Sequence, residues 1–189
     1  MAQAKTLTQA ELDQVLRYAS TRKYPERNRA IILTSFLTGM RVAEIASLKL
    51  GDIVNDDGAI KNEIKLSASQ TKGGHPRTVF ISSKLKAELE SYLKTRHIKD
   101  STIAFFHTDR KLKFTANGLC VWFFALYRGA GISGASSHSG RRSMITSLAQ
   151  KGIGVRVLAE IAGHRSIAVT QKYIDANPEM CRNAMELLG

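Results

Sequence analysis

Leu12, Val15, Leu16 and Ala19 recur at the three- and four-residue spacing that puts them on one helical face, and Ala30, Leu33, Thr34 and Leu37 repeat it. A helix is predicted for each run. The first opens at about Thr8, because Thr8 and Glu11 stand three apart as a capping box and Leu7 can staple onto Leu12. It ends in the polar stretch Thr21 to Tyr24. The second starts on Pro25, whose fixed φ suits a first helical turn, and stops at Gly39. Ile53 and Val54, a turn at Asp56, Asp57 and Gly58, and the alternating stretch Ile60 to Leu66 read as short strands, with a further strand at Arg77 to Ile81.

The helical period resumes at Leu85, Leu89, Tyr92 and Leu93, behind a cap at Ser82 or Ser83 and ending around His97. Thr115 caps a further helix with Leu119, Trp122, Phe123 and Leu126 on one face, an aromatic stripe of core character. Ile145, Leu148 and Ala149, then Val155, Leu158, Ala159 and Ala162, mark two more. Asn177 and Pro178 start a last one bearing Met180, Ala184, Leu187 and Leu188. Ile103 to Phe114 is apolar without a period. The expected fold is α+β and mainly α, a helical domain with a small three-stranded antiparallel sheet on one side, and 1–189 as a single domain.

With 189 residues and 43% hydrophobic content the chain can bury one good core. Twenty-eight Lys and Arg against sixteen Asp and Glu give +12, with an isoelectric point near 10.0. That excess is spread over folded elements, which suits a surface tracking a polyanion, nucleic acid above all. No apolar stretch approaches the roughly 20 residues that span a bilayer and no signal pattern opens the chain, so a cytoplasmic protein is expected. Cys120 and Cys181 lack paired ligand spacing and read as reduced, structural residues; no metal site is implied.

Candidate chemistry concentrates between Ser137 and Tyr173. His138 and Arg141 stand three apart at a helix start and can converge on one anion. Gly163 stops a helix and leaves His164 in the following turn; Ser166 then caps a short helix that delivers Tyr173. Earlier, Arg41 follows the Gly39 turn with Glu44 one helical turn on, placed to orient it. Lys72 lies beside two glycines in the polar loop from Ser67 to Pro76.

Taken in order, these residues resemble the tyrosine recombinase (phage integrase) family, with its His-x-x-Arg box, a later His or Trp and a tyrosine nucleophile. Gly140 stands where many members carry leucine. The resemblance covers the catalytic domain from about Thr8 to the end. It implies Arg41, Lys72, His138, Arg141, His164 and Tyr173 as catalytic residues and Glu44 as the acidic companion of Arg41. By the same resemblance, Tyr173 attacks a DNA phosphodiester to leave a 3′-phosphotyrosyl link and a 5′ hydroxyl, without metal, ATP or cofactor. Double-stranded DNA would be the partner, with a dimer on one site, a tetramer in synapsis and DNA-bending accessory proteins as further expectations. The last helix would be exchanged between subunits. Most members carry a helical DNA-gripping domain ahead of the catalytic one, so the chain is either a minimal recombinase or a catalytic domain from a longer protein. Two rivals stay open: type IB topoisomerase-like relaxation, and a DNA-binding accessory protein without strand exchange.

Overall fold

A computed structural model of the chain describes residues 3–96, 100–110, 112–174, 181–182 and 185–186. Helix α1, Gln9–Ser20, begins as its sequence dictates: the Thr8 hydroxyl accepts from the Glu11 N–H at 3.2 Å and the Glu11 carboxylate from the Thr8 N–H at 3.0 Å. Leu7 and Leu12 are both buried in the main core. Helix α2, Pro25–Thr38, has proline in its first turn and ends on Gly39 in the left-handed region at φ 62°. Arg41 then caps the short α3, Val42–Ser47.

The expected third strand is not formed. Leu50–Ile53 closes a helical turn, α4, and the pairing predicted there shrinks to one antiparallel bridge between Val54 and Ile60. The sheet therefore has two antiparallel strands, β1 at Glu63–Leu66 and β2 at Arg77–Phe80, with Leu66 opposite Arg77 at the end nearest the loop. A short 3₁₀ turn, Ala68–Gln70, opens that loop.

Ser82 caps α5, Ser83–Lys94, which ends before the expected His97. The irregular stretch after it is core: Phe105 and Phe106 are fully buried around Tyr92, and Arg96 donates to the carbonyls of Ala104 and Phe105. Thr115 caps α6, Ala116–Gly129, whose Leu119, Phe123 and Leu126 face the core. Three helices follow: α7, Ser139–Gln150; α8, Val155–Ala162; and α9, Ile167–Gln171.

Helix α7 packs across α2, and its Met144, Ile145 and Leu148 belong to the smaller of two apolar clusters. One is the large core of α1 to α6; the other is a small cluster of Met144, Ile145 and Ala162, against which Leu148, Ile161 and Tyr173 pack. Cys120 is half-buried and Cys181 is exposed, both as free thiols, so the structural role expected of Cys181 does not hold. The helix expected from Asn177 and Pro178, and its exchange between subunits, fall largely outside the described residues.

Gly140 explains the closeness of α2 and α7. A Cβ there would run into the Ser35 hydroxyl and stand 3.0 Å from the Ser35 carbonyl carbon. The missing side chain is what lets the helices approach. Gly140→Ala is expected to cost about 1–3 kcal/mol of stability through overpacking, read as a lowered urea midpoint. Ser35→Ala should restore part of that loss. By itself it should leave the midpoint unchanged or higher, because the buried Ser35 hydroxyl has no hydrogen-bond partner among the described residues.

Candidate active site

Two helix ends and one helix start meet at Arg141. Its Nη1 donates to the Gly39 carbonyl at 2.7 Å and its Nη2 to the Ala162 carbonyl at 2.5 Å. These carbonyls close α2 and α8, where backbone oxygens lack intrahelical partners and carry the negative end of the helix dipole. A buried guanidinium thus finds acceptors that the helices would otherwise leave unpaired. Arg141 is only 4% exposed, and burial, followed by the charges of Arg41 and Arg77, pulls its pKa down to about 10. It stays protonated at neutral pH. Arg142 is less buried and donates from Nε to the Thr6 hydroxyl at 3.0 Å, so Arg141 is the member held between the helix ends.

Arg41 is held by Glu44. The Arg41 N–H donates to Glu44 Oε2 at 2.7 Å and its Nη1 to Oε1 at 3.1 Å. The same carboxylate takes a second fork from Arg77: Nε to Oε1 at 3.2 Å and Nη2 to Oε2 at 2.8 Å. Glu44 has no exposed surface, and although burial pushes its pKa up, the Arg77 and Arg41 partners outweigh that and hold it below the ordinary carboxylate range.

Gly163 ends α8 in the left-handed region at φ 64°, and the His164 N–H closes the helix on the Ala159 carbonyl at 2.9 Å. His164 is thereby set in the turn with Nδ1 2.8 Å from the Thr170 hydroxyl. Its ring lies nearly parallel to that of Tyr173, centroids 5.9 Å apart at 14°. Tyr173 comes two residues after α9 ends; its N–H donates to the Thr170 carbonyl at 2.9 Å, and its own carbonyl accepts from the Thr146 hydroxyl at 3.3 Å. The Arg142 guanidinium carbon sits 5.5 Å from the Tyr173 ring centroid, within cation–π range.

His138, at the start of α7, is exposed. Desolvation, then the charges of Arg141, Arg41 and Lys72, hold its imidazole below the ordinary value. Lys72 itself is exposed in the β1–β2 loop, close enough to His138 for its charge to be felt there. The structure therefore gathers Arg41, Glu44, His138, Arg141, His164 and Tyr173 into one cluster, with Lys72 at its open edge. Arg77, expected only as the start of a strand, belongs to the same cluster. A signal for it existed: Arg77 and Val79 share a strand face, and Val79 is buried.

The arrangement is a nest of cationic forks and neutral imidazoles around space suited to an oxyanion, with a phenol beside it. The chain belongs to the phage integrase family, whose model matches residues 5–180. It is 32% identical to tyrosine recombinase XerA of Pyrococcus furiosus, over 96% of this chain and 61% of that protein. It is 30% identical to tyrosine recombinase XerC of Lactobacillus leichmannii, over 87% of this chain and 56% of that one. The chain thus spans less than two thirds of the length of these relatives. A crystal structure of XerA recombinase superposes with a TM-score of 0.77 at 25% identity, covering 99% of this chain and 66% of that one. The Tn1549 transposon integrase in complex with circular-intermediate DNA shares the fold at a TM-score of 0.76 and 19% identity, over 100% of this chain and 67% of that one.

Burial, then the charges of Arg141, Arg41 and Arg77, lower the His164 pKa to about 4. The unfolded chain, with an ordinary histidine near 6.5, binds this proton at higher pH than the folded chain does. Stability associated with His164 is therefore intact above about 6.5 and lost as pH falls towards 4. NMR of the ring should show His164 titrating near 4, and the urea midpoint of His164→Gln should fall less than that of the parent over this window. A ring titrating at its ordinary value would contradict the burial described.

Proposed function

We propose that residues 1–189 form the catalytic domain of a site-specific DNA recombinase that breaks and rejoins strands through Tyr173. The observation that carries this reading is the convergence of Arg41, Arg141, His138 and His164 beside the Tyr173 ring, on elements from both halves of the chain.

A phosphodiester resists attack because its non-bridging oxygens repel nucleophiles and gain charge as a fifth ligand approaches phosphorus. Planar forks from Arg41 and Arg141 match two such oxygens. His138 and His164, neutral in the DNA-free chain, can each donate one ring N–H to the same oxygens. The Tyr173 oxygen attacks phosphorus, its proton passing to a base; the bond from phosphorus to the 5′ oxygen breaks, and Lys72 protonates the departing 5′ alkoxide. The 3′-phosphotyrosyl ester keeps the energy of the bond it replaces. Attack by a second 5′ hydroxyl therefore exchanges strands without ATP, and the guanidinium charges supply the stabilisation a metal would otherwise give.

Double-stranded DNA in the cytoplasm is the substrate in this reading, held by a homo-oligomer: a dimer on one site, a tetramer in synapsis, with DNA-bending accessory proteins as further partners. The net charge of +12 supports the first point. The apolar side chains that α8, α9 and the turn before them expose, Ile153, Val157, Ile167 and Val169, support contact between subunits. No helix among the described residues is long and apolar enough to cross a membrane.

The test is covalent capture from a pool of randomised duplexes, each nicked so that the short 5′ end diffuses away after cleavage. The chain should leave a detergent-resistant adduct, and Tyr173→Phe should leave none while binding DNA with unchanged affinity. An adduct formed by Tyr173→Phe would remove Tyr173 from this role. On a captured sequence, Arg41→Ala and Arg141→Ala should each lower the cleavage rate by about 100-fold or more, with far smaller losses in binding. Lys72→Ala should lose cleavage of the natural ester and regain it when sulfur replaces the bridging 5′ oxygen, since a thiolate leaves unprotonated. Failure of that rescue would assign the proton to another group. A two-site plasmid yielding recombinants, and not merely relaxed circles, separates recombination from topoisomerase-like relaxation.

A further inference from the structure

Arg77 spends every guanidinium nitrogen on protein. Nε and Nη2 fork onto the two oxygens of Glu44, and Nη1 donates to the Ile161 carbonyl at 2.9 Å. It is only 10% exposed. Its aliphatic stem fills the space beside Gly163, where a Cβ would stand 2.6 Å from Arg77 Cδ. One side chain thus touches three elements: its own strand β2 at the foot of the Lys72 loop, the Glu44–Arg41 unit of α3, and the end of α8 from which His164 emerges.

The charges show why a second fork on Glu44 is useful. With Arg41 as its one partner, the buried carboxylate would act as a private counter-ion, and the pair would offer a phosphate almost no net charge. Arg77 divides the carboxylate between two guanidinium groups, so the trio carries a net positive charge while Glu44 keeps four hydrogen bonds. Buried, and held by Glu44 and the Ile161 carbonyl through three of its five N–H donors, Arg77 is placed to brace its neighbours. It acts through its neighbours.

We infer that Arg77 is a positioning residue for phosphoryl transfer, fixing through Glu44 and the Ile161 carbonyl the distances among Arg41, His164 and the foot of the Lys72 loop. This rests on the reading of the site as one for phosphodiester exchange. Lysine can keep the charge but cannot form both a fork and a third bond in one plane, so Arg77→Lys isolates geometry from charge. Arg77→Gln removes the charge as well.

The experiment compares both variants with the parent chain by single-turnover adduct formation on a captured nicked duplex, at saturating protein and below the unfolding transition. DNA affinity is measured in parallel, and the His164 ring is titrated by NMR without DNA. Arg77→Lys should cleave about 10- to 100-fold more slowly, the cost of misplacing catalytic groups by fractions of an ångström to one ångström. Its affinity should change less than about threefold, and its His164 titration should stay near that of the parent. Arg77→Gln should cleave at least as slowly and should raise the His164 titration towards the ordinary histidine value, because one of three nearby cationic charges is gone. A parental rate in Arg77→Lys overturns the inference. So does a rate loss matched by an equal loss of affinity, which would make Arg77 a plain phosphate contact, or a His164 titration unmoved in Arg77→Gln. If the parent chain forms no adduct at all, the recombinase reading fails, and the ring titration still decides whether Arg77 is coupled to His164.

Discussion

Guanidinium groups repel one another, and three of them reach the same pocket from α3, β2 and α7. The buried carboxylate of Glu44 is what permits this. It accepts four hydrogen bonds, two from Arg41 and two from Arg77, and its charge opposes the depression of the Arg141 pKa. Removing one partner of such a buried pair typically costs about 3–5 kcal/mol, because the charges left behind lose both solvent and counter-ion. One negative charge against three positive leaves a surplus, so the pocket is built to be completed by an anion. The imidazoles are held neutral first by burial and then by the same surplus of cations around them.

Backbone geometry does the remaining positioning. Gly39 and Gly163 end α2 and α8 in left-handed turns, and the carbonyls of Gly39 and Ala162 are the acceptors that fix Arg141. Gly140 lets α7 lie close enough to α2 for that bond to form. The Tyr173 segment is attached differently. It rests on the small apolar cluster of Met144, Ile145 and Ala162, separate from the main core. The two anchorages meet at α7 and at the end of α8, where the Ile161 and Ala162 carbonyls hold Arg77 and Arg141 and the same two residues pack in the cluster under Tyr173.

What was legible in the chain was local stereochemistry. The capping box at Thr8, the proline and glycine that bound α2, the cap at Thr115 and the stop at Gly163 each depend on a few adjacent residues, and each falls where spacing put it. Arg41 and Glu44 were readable as a pair for the same reason, being one helical turn apart. Their burial was not, because it comes from packing against residues far along the chain. The missing third strand has a local cause: Leu50–Ile53 is a helical turn, which leaves only the Val54–Ile60 bridge where the strand was expected. The stretch from Ile103 to Phe114 showed no period because its phenylalanines fill gaps around Tyr92 without forming an element. The strand alternation put Arg77 on the face of Val79, but its partners were out of reach of any periodicity, lying 33 and 84 residues away. Lys72 came from family resemblance, since an exposed lysine between turns carries no signal of its own.

The most direct measurement is an experimental structure of the Tyr173→Phe variant bound to a duplex recovered by covalent capture. The account predicts a single phosphorus whose non-bridging oxygens lie within about 3 Å of Arg41, Arg141 and both imidazoles, with the ring of residue 173 beside it. A backbone path over the Lys49, Lys65 and Lys113 groove on the neighbouring surface, leaving Arg41 and Arg141 without a phosphate between them, would contradict it.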